Sequence, residues 1–187
     1  MNVLNTQTQA QLVSDIRDLR CDENSMVCFR FHGLDGFDAW VDAKVIVETY
    51  DNSLRDYLAE ETETDVEVID EVLNRDYELV DTNHTLTSHC GGSFSFDFEK
   101  YAEILEVLED VDTEVLSAGL ALGLEIESIR DNYFGYFGSE RELAEYHVDE
   151  GLMGEVPENL KNYLDYDHMG RELSWDYSEH EGHYFHN

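Results

Sequence analysis

Basic residues are what this sequence has least of: 3 Lys and 8 Arg among 187 residues. That scarcity excludes the usual basic nucleic-acid-binding surface and disfavours attachment to anionic membranes. Long apolar runs are absent too. No stretch approaches the roughly 20 residues a membrane helix needs. The N-terminal MNVLNTQTQAQLVSDIRDLR has no apolar core of a secretion signal. Cysteine is limited to Cys21, Cys28 and Cys90. An odd number at irregular spacing does not make a disulfide framework and points to a reducing compartment, so a soluble cytoplasmic protein is expected. Cofactor motifs are missing: there is no Walker A or Rossmann glycine pattern. The stretch DVDTE at 110–114 lacks the glycine and spacing of an EF-hand loop. No internal repeat or low-complexity linker is present.

What is there is acid. Asp and Glu total 44, leaving a formal net charge of −33. A small soluble domain usually carries a magnitude of roughly 2–8. Such an excess favours basic partners, drawn in by long-range attraction that salt weakens. Disorder is the other common source of high charge. It does not fit a chain that is 42% hydrophobic and 12% aromatic. This composition can bury a core, in one or two domains or several small linked ones.

Along the chain, residues 1–25 read as a polar extension with a short helix around residues 9–19. The run MVCFRF at 26–31 is a strand by alternation, and Gly33 and Gly36 bracket a turn to a second strand region over 37–47, which suggests a hairpin. A helix is expected over 53–73, broken near 62–64, then a third strand over 77–80. Residues 81–95 read as a polar loop, with Gly91–Gly92 the internal boundary. A helix follows over 97–110; apolar residues continue over 111–124, weakened by Gly119 and Gly123, in a helix–turn–helix run ending near Arg130, and then comes an aromatic loop, NYFGYFG, over 132–138. Ser139 with Glu142 makes a capping box for the next helix, which Gly151 ends. Pro157 opens another helix, to about Tyr166, with one more turn or helix over 167–173. The tail from Trp175 is aromatic and His-rich and closes as a strand. The expectation is an α+β chain of four segments: an extension (1–25), an N-terminal subdomain of hairpin, sheet and helix (26–95), a central helical subdomain (96–138) and a C-terminal subdomain (139–187).

The acids are not scattered evenly along these helices. In DFEKYAEILEVLED, Phe98, Tyr101, Leu105 and Leu108 form an apolar stripe at helical spacing. Glu99, Glu103, Glu106 and Asp110 form a second stripe away from it. At about 1.5 Å rise per residue these carboxylates stand about 4.5–6 Å apart along the axis. Like charges so placed cost a helix up to about 0.5 kcal/mol per pair. The pattern recurs in Asp56, Glu60, Glu63, Glu67 and Asp70, and again in Glu142, Glu145 and Asp149. Rows of fixed negative charge are what a nucleic-acid backbone presents. Duplex DNA carries about one charge per 1.7 Å of axis, so several helices must contribute together to match it.

The C-terminal third resembles a known family. The run GLMGEVPENLKNYLDYDHMGREL, from Gly151 to Leu173, is similar to the signature of the ArdA antirestriction proteins. The residues that carry the likeness are Pro157, Leu160, Tyr163, Asp165, Tyr166, Gly170, Arg171 and Leu173. Leu143, Ala144 and Tyr146 fit the helix before it, and Tyr133, Gly135 and Ser139 resemble the family's aromatic–glycine–serine segment. Trp40, Val41 and Asp42 after Gly36 look like its glycine–tryptophan hairpin, and residues 77–81 its aromatic–acidic strand. The first 25 residues and the HTLTSHCGG loop depart from the pattern. The resemblance implies a DNA mimic: an elongated chain of small subdomains, dimeric, with acids along it. Such a mimic occupies the DNA-binding groove of type I restriction–modification enzymes, without catalysis or cofactor. By composition the signature is a folding and dimer-contact element, so Leu160, Tyr163, Leu164 and Tyr166 are expected at a homodimer contact.

Competing chemistry is thin. His180, His183 and His186 are spaced by three, and His84, His89 and Cys90 form a second group. Imidazole and thiolate bind zinc, yet neither group has a CxxC or HExxH arrangement, and no metal is expected. His89 beside Cys90 lacks any supporting nucleophile signature. No carboxylate pair stands out as a hydrolase pair. Arg171 is expected in an internal ion pair. Two alternatives stay open: a DNA mimic with another target, acting as an anti-CRISPR protein or as a decoy for a nucleoid protein, and an acidic halophilic protein of unrelated function.

Overall fold

The computed structural model describes residues 5–187, which divide into two compact units that meet in sequence at Glu106 and Val107. Among the described residues there are eleven α-helices and two small three-stranded antiparallel sheets, an α+β fold.

The first unit opens with α1 (Thr6–Arg17). Asn5 caps it, its side chain accepting from the Gln7 and Thr8 amides, and Leu12 and Ile16, four apart, are buried. Strands β1 (Met26–Phe31), β2 (Phe37–Asp42) and β3 (Tyr77–Thr82) form a sheet in the order β2-β1-β3. Alternation sends Val27, Phe29 and Phe31 of β1 into the core beside Ala39 and Val41 of β2. Tyr77 of β3 packs edge-on against Phe29. On the other face Arg30 ties the three strands together, bidentate to Asp38 at 2.7 and 2.9 Å and 3.6 Å from Glu78.

The second strand stops at Asp42, not at residue 47. From Ala43 the chain is helical, α2 (Ala43–Tyr50). The β-branched Val45, Ile46 and Val47 favour a strand, but the Asp42 side chain accepts from the Lys44 and Val45 amides and starts a helix. Helices α3 (Leu54–Glu61) and α4 (Val66–Leu73) are separated at 62–65, as the sequence suggests. The Thr62 hydroxyl donates back to the Leu58 carbonyl, and Glu63 takes a left-handed φ of 50°. A Cβ on Gly33 would stand 2.5 Å from the Val72 carbonyl oxygen, so α4 backs onto the hairpin turn at that glycine. The expected polar loop over 81–95 contains a one-turn helix, α5 (Thr85–His89), capped by His84 and anchored by buried Leu86 and Thr87. Helix α6 (Phe98–Val107) buries Tyr101 and Ile104. Phe98 and Leu105 are only half-buried, so Ile104 is the deeper anchor of that stripe.

The second unit holds α7 (Thr113–Ala121), α8 (Ile126–Asn132), β4 (Tyr133–Tyr136), α9 (Glu140–Asp149), α10 (Glu158–Lys161), α11 (Tyr166–Leu173), β5 (Tyr177–His180) and β6 (His183–His186). Part of the expected aromatic loop is thus strand β4, which pairs with β6 in the sheet order β4-β6-β5. The tail is a hairpin, not one strand. Glu181 and Gly182 both have positive φ, as a two-residue type I′ turn requires. Ser139 caps α9, accepting from the Glu142 amide, while the Glu142 carboxylate reaches back to the Gly138 amide. Gly151 at φ 68° ends α9, the Leu152 amide donating to His147 and the Gly151 amide to Val148, the Schellman pattern. Helix α10 begins one residue after Pro157, which is its N-cap, and ends at Lys161 rather than near Tyr166. Asp165 then caps α11 through the His168 amide. A Cβ on Gly170 would fall 2.1 Å from the Glu140 carbonyl oxygen. The small residue of the C-terminal signature is therefore where α11 closes onto α9.

Candidate functional site

Of the 44 acids, Asp42 alone is buried. Its carboxylate is saturated. One oxygen accepts from Ser25 Oγ at 2.7 Å and from the Lys44 and Val45 amides, and the other from the Asp22 amide at 2.8 Å. Burying an ionised carboxylate is tolerated only with partners of this number. Every other acid lies at or near the surface. The first unit holds 24 acids against 7 Lys and Arg, the second 20 against 4, so the charge is shared nearly evenly.

The structure separates the predicted acids into two kinds. Asp56 and Glu60 stand on α3, Glu67 and Asp70 on α4, and Glu63 in the turn between them. Arg55 pairs with Asp56 at 2.8 Å. Hydrogen bonds from Ser53 and then Arg55 hold the Asp56 carboxyl below its ordinary value. Glu99, Glu103 and Glu106 are exposed on α6. Their neighbour Lys100 is turned away, donating to the His89 carbonyl at 2.9 Å. Glu60, Glu63, Glu67, Asp70, Glu99, Glu103 and Glu106 have no cation within 4 Å among the described residues. Asp110 differs from its expected place. It lies past the end of α6, in the turn before α7, and pairs with Arg130 at 3.3 Å. The stripe ends there because the chain must turn for α7 to start at Thr113. In the second unit Glu145 pairs with Arg141 at 2.9 Å and Asp149 with Lys161 at 2.8 Å. The scarce cations thus neutralise one set of acids and leave the α6 row, with Glu60, Glu63, Glu67 and Asp70, without a cation among the described residues.

The signature segment shows apolar surface. Tyr163 is 84% exposed and Leu160 48%, with Leu152 and Met153 also more than half exposed. Leu164 and Tyr166 are half-buried, and the Arg141 guanidinium sits 5.6 Å over the Tyr166 ring. Arg171, expected in an ion pair, is exposed and has none among the described residues. Its i−4 acid, Asp167, is taken by Arg141 at 3.3 Å.

The histidines do not converge. His180 and His183 are cross-strand partners, whereas His186 pairs with Tyr177, on the opposite face by alternation. His183 Nδ1 meets the Tyr133 hydroxyl at 3.2 Å, and His84 is spent as a helix cap. Burial, then Lys100, lowers the His89 pKa, and burial pushes the Cys90 thiol up to about 12. A thiol held protonated in this way is a poor nucleophile. Among the described residues no group of three His, Cys, Asp or Glu is placed to hold a metal, and no helix is long and apolar enough to cross a membrane.

Sequence reasoning missed two polar anchors. Asp42 has a local signal, an Asp directly before AKVIVETY. Buried His147 has none. Its Nδ1–H donates to the Leu143 carbonyl at 2.8 Å, leaving Nε2 to accept from the Tyr177 hydroxyl at 2.9 Å, thirty residues on.

No curated protein matches the chain significantly. The family model described as antirestriction protein (ArdA) matches residues 35–186, which takes in β2, the acidic helices, the signature and the terminal hairpin. The chain belongs to the ArdA family of antirestriction proteins.

Proposed function

We propose that this protein is a DNA mimic that occupies the basic DNA-binding groove of a type I restriction–modification enzyme in the host cytoplasm and blocks it without catalysis. The observation that carries this reading is the set of exposed carboxylates without a cation partner among the described residues: Glu99, Glu103 and Glu106 in a row on α6, with Glu60 on α3, Glu67 on α4 and Glu63 in the turn between them. Such groups meet a basic groove without first giving up an internal cation. Binding energy is spread over many contacts, each exposed pair contributing less than about 1 kcal/mol. Counterions leave both partners on association, so affinity falls steeply with salt. The acids that already hold Arg or Lys add to the general field more than to direct contact.

The protein acts as a homodimer in this reading. Leu160 and Tyr163 present apolar surface in the segment where the family signature lies, and the one cation there without an acid partner, Arg171, relieves repulsion between two strongly negative copies.

The test is competition between this protein and duplex DNA for a purified type I enzyme across a salt series. The expected result is displacement of DNA at low salt that weakens as salt rises. Failure to displace DNA at any ionic strength overturns the proposal.

A further inference from the structure

A groove of about 400 Å³ opens between α1 and β2 in the first unit. Its apolar walls are Ile16, Leu19 and Met26 on one side and Phe37 and Trp40 on the other, and exposed Glu23 and Asp38 also line it. The size is that of a side-chain or small-ligand site. The residues from α1 to Met26 lie outside the family match, whereas Phe37 and Trp40 lie inside it. The extension therefore builds half of a site on the family's hairpin.

Three observations restrict the occupant. The unit carries 24 acids against 7 cations, so anions are repelled. The walls are aromatic and aliphatic, which suits a weakly hydrated planar cation better than a compact ammonium. Finally, a guanidinium already uses the aromatic wall. Arg17 stands 5.7 Å over the Phe37 ring, and among the described residues it has no carboxylate within 4 Å, in a chain where acids outnumber cations fourfold. That geometry is an attractive cation–π contact.

We propose that the α1–β2 groove receives an arginine side chain of the basic partner protein, with Arg17 as the internal stand-in that the incoming side chain displaces. The proposal rests on the partner being basic, as read above. The incoming guanidinium lies along Phe37 and Trp40 while Glu23 supplies the nearby field, Asp38 being already paired with Arg30, and the groove gives the extension a part in partner choice.

Trp175→Phe leaves Trp40 as the only indole in the full chain. The probe is an amidated tetra-arginine peptide at low salt, with tetra-lysine as comparator, followed by Trp40 emission and by calorimetry. Saturable change in Trp40 emission is expected, larger for tetra-arginine. Arg17→Ala is expected to tighten tetra-arginine binding about threefold or more, the worth of one cation–π contact. Arg20→Ala makes the same charge change at an exposed residue that does not line the groove, and is expected to tighten binding by less than about twofold, the effect of charge alone. Equal effects of the two substitutions overturn the proposal. So does calorimetric binding of the peptide with Trp40 emission unmoved, an outcome that leaves DNA mimicry standing. No binding of either peptide at low salt overturns this proposal together with the attraction to basic partners on which it rests.

Discussion

Asp42 gathers four donors on one buried carboxylate, and the cost of losing it follows from them. Asp42→Ala removes the cap of α2, which costs about 1–2 kcal/mol. It also strands the Asp22 amide and the buried Ser25 hydroxyl, each previously bonded to the carboxylate. An orphaned buried donor costs about 1–3 kcal/mol. The cap and the one buried orphan, the Ser25 hydroxyl, sum to about 2–5 kcal/mol, a large part of the 5–15 kcal/mol that a domain of this kind has to lose. Asp42→Asn separates the contributions. Its amide oxygen, in the Oδ1 position, still accepts from Ser25, Lys44 and Val45, but an NH₂ then faces the Asp22 amide, donor against donor. Asn is therefore expected to cost about 1–2 kcal/mol, less than Ala. Urea unfolding followed by Trp40 emission in a Trp175→Phe background measures both. Equal destabilisation by Asn and Ala, or a loss below about 1 kcal/mol for Ala, refutes the assignment of Asp42 as the hydrogen-bonded hub.

Gly170→Ala pushes a methyl into the Glu140 carbonyl at the α9–α11 contact, and a loss of at least about 2 kcal/mol is expected in thermal unfolding of the second unit. Burial raises the Cys21 and Cys28 thiols to about 11 and Cys90 to about 12, above the ordinary 9.0. Their contribution to stability is full below pH 9 and lost as pH rises through 11–12; native thiols should also react with a disulfide reagent at pH 8 far more slowly than the unfolded chain does. Changing Glu99, Glu103 and Glu106 together to Gln should weaken inhibition of a type I enzyme by about 10–100-fold, from up to about 1 kcal/mol per contact. The ion-paired trio Asp110, Glu145 and Asp149, changed to Asn or Gln, should cost several-fold less; equal losses would remove the distinction between paired and unpaired acids. For the homodimer proposed above, light scattering at micromolar concentration should show a dimer that Tyr163→Ser with Leu160→Ser converts to monomer with its circular dichroism unchanged; a monomeric parent protein overturns the dimer, and an unaltered dimer places the contact elsewhere.

Much of the fold is legible locally. The stripe of α6, the break at residues 62–64, the strand at 26–31, the Ser139 cap and the Gly151 stop all follow from side-chain periodicity and capping chemistry within a few residues. What misleads is structure that depends on distant partners. Strand β4 looks like an aromatic loop because its pairing residues on β6 lie about fifty positions later. Helix α5 is hidden among polar residues, one turn long, and exists because Leu86 and Thr87 are buried. Helix α2 has a β-branched middle, and its Asp42 cap is completed by Asp22 and Ser25 from the segment before β1. The likeness to the family is legible in the signature, but the reason its small residue is Gly170 appears only where α11 meets α9.

Composition alone settled that this surface is anionic. Forty-four carboxylates cannot be buried, because each would need a set of donors like the one that Asp42 has, and the chain has eleven cations to offer. Tertiary structure decided which carboxylates stay free. Arg130 reaches Asp110 across twenty residues, Lys161 reaches Asp149, Arg141 takes Asp167 from Arg171, and Lys100 turns from the α6 row to a backbone carbonyl. Helix periodicity places a charge on a face; the folding of distant segments onto one another determines whether a counter-charge arrives beside it.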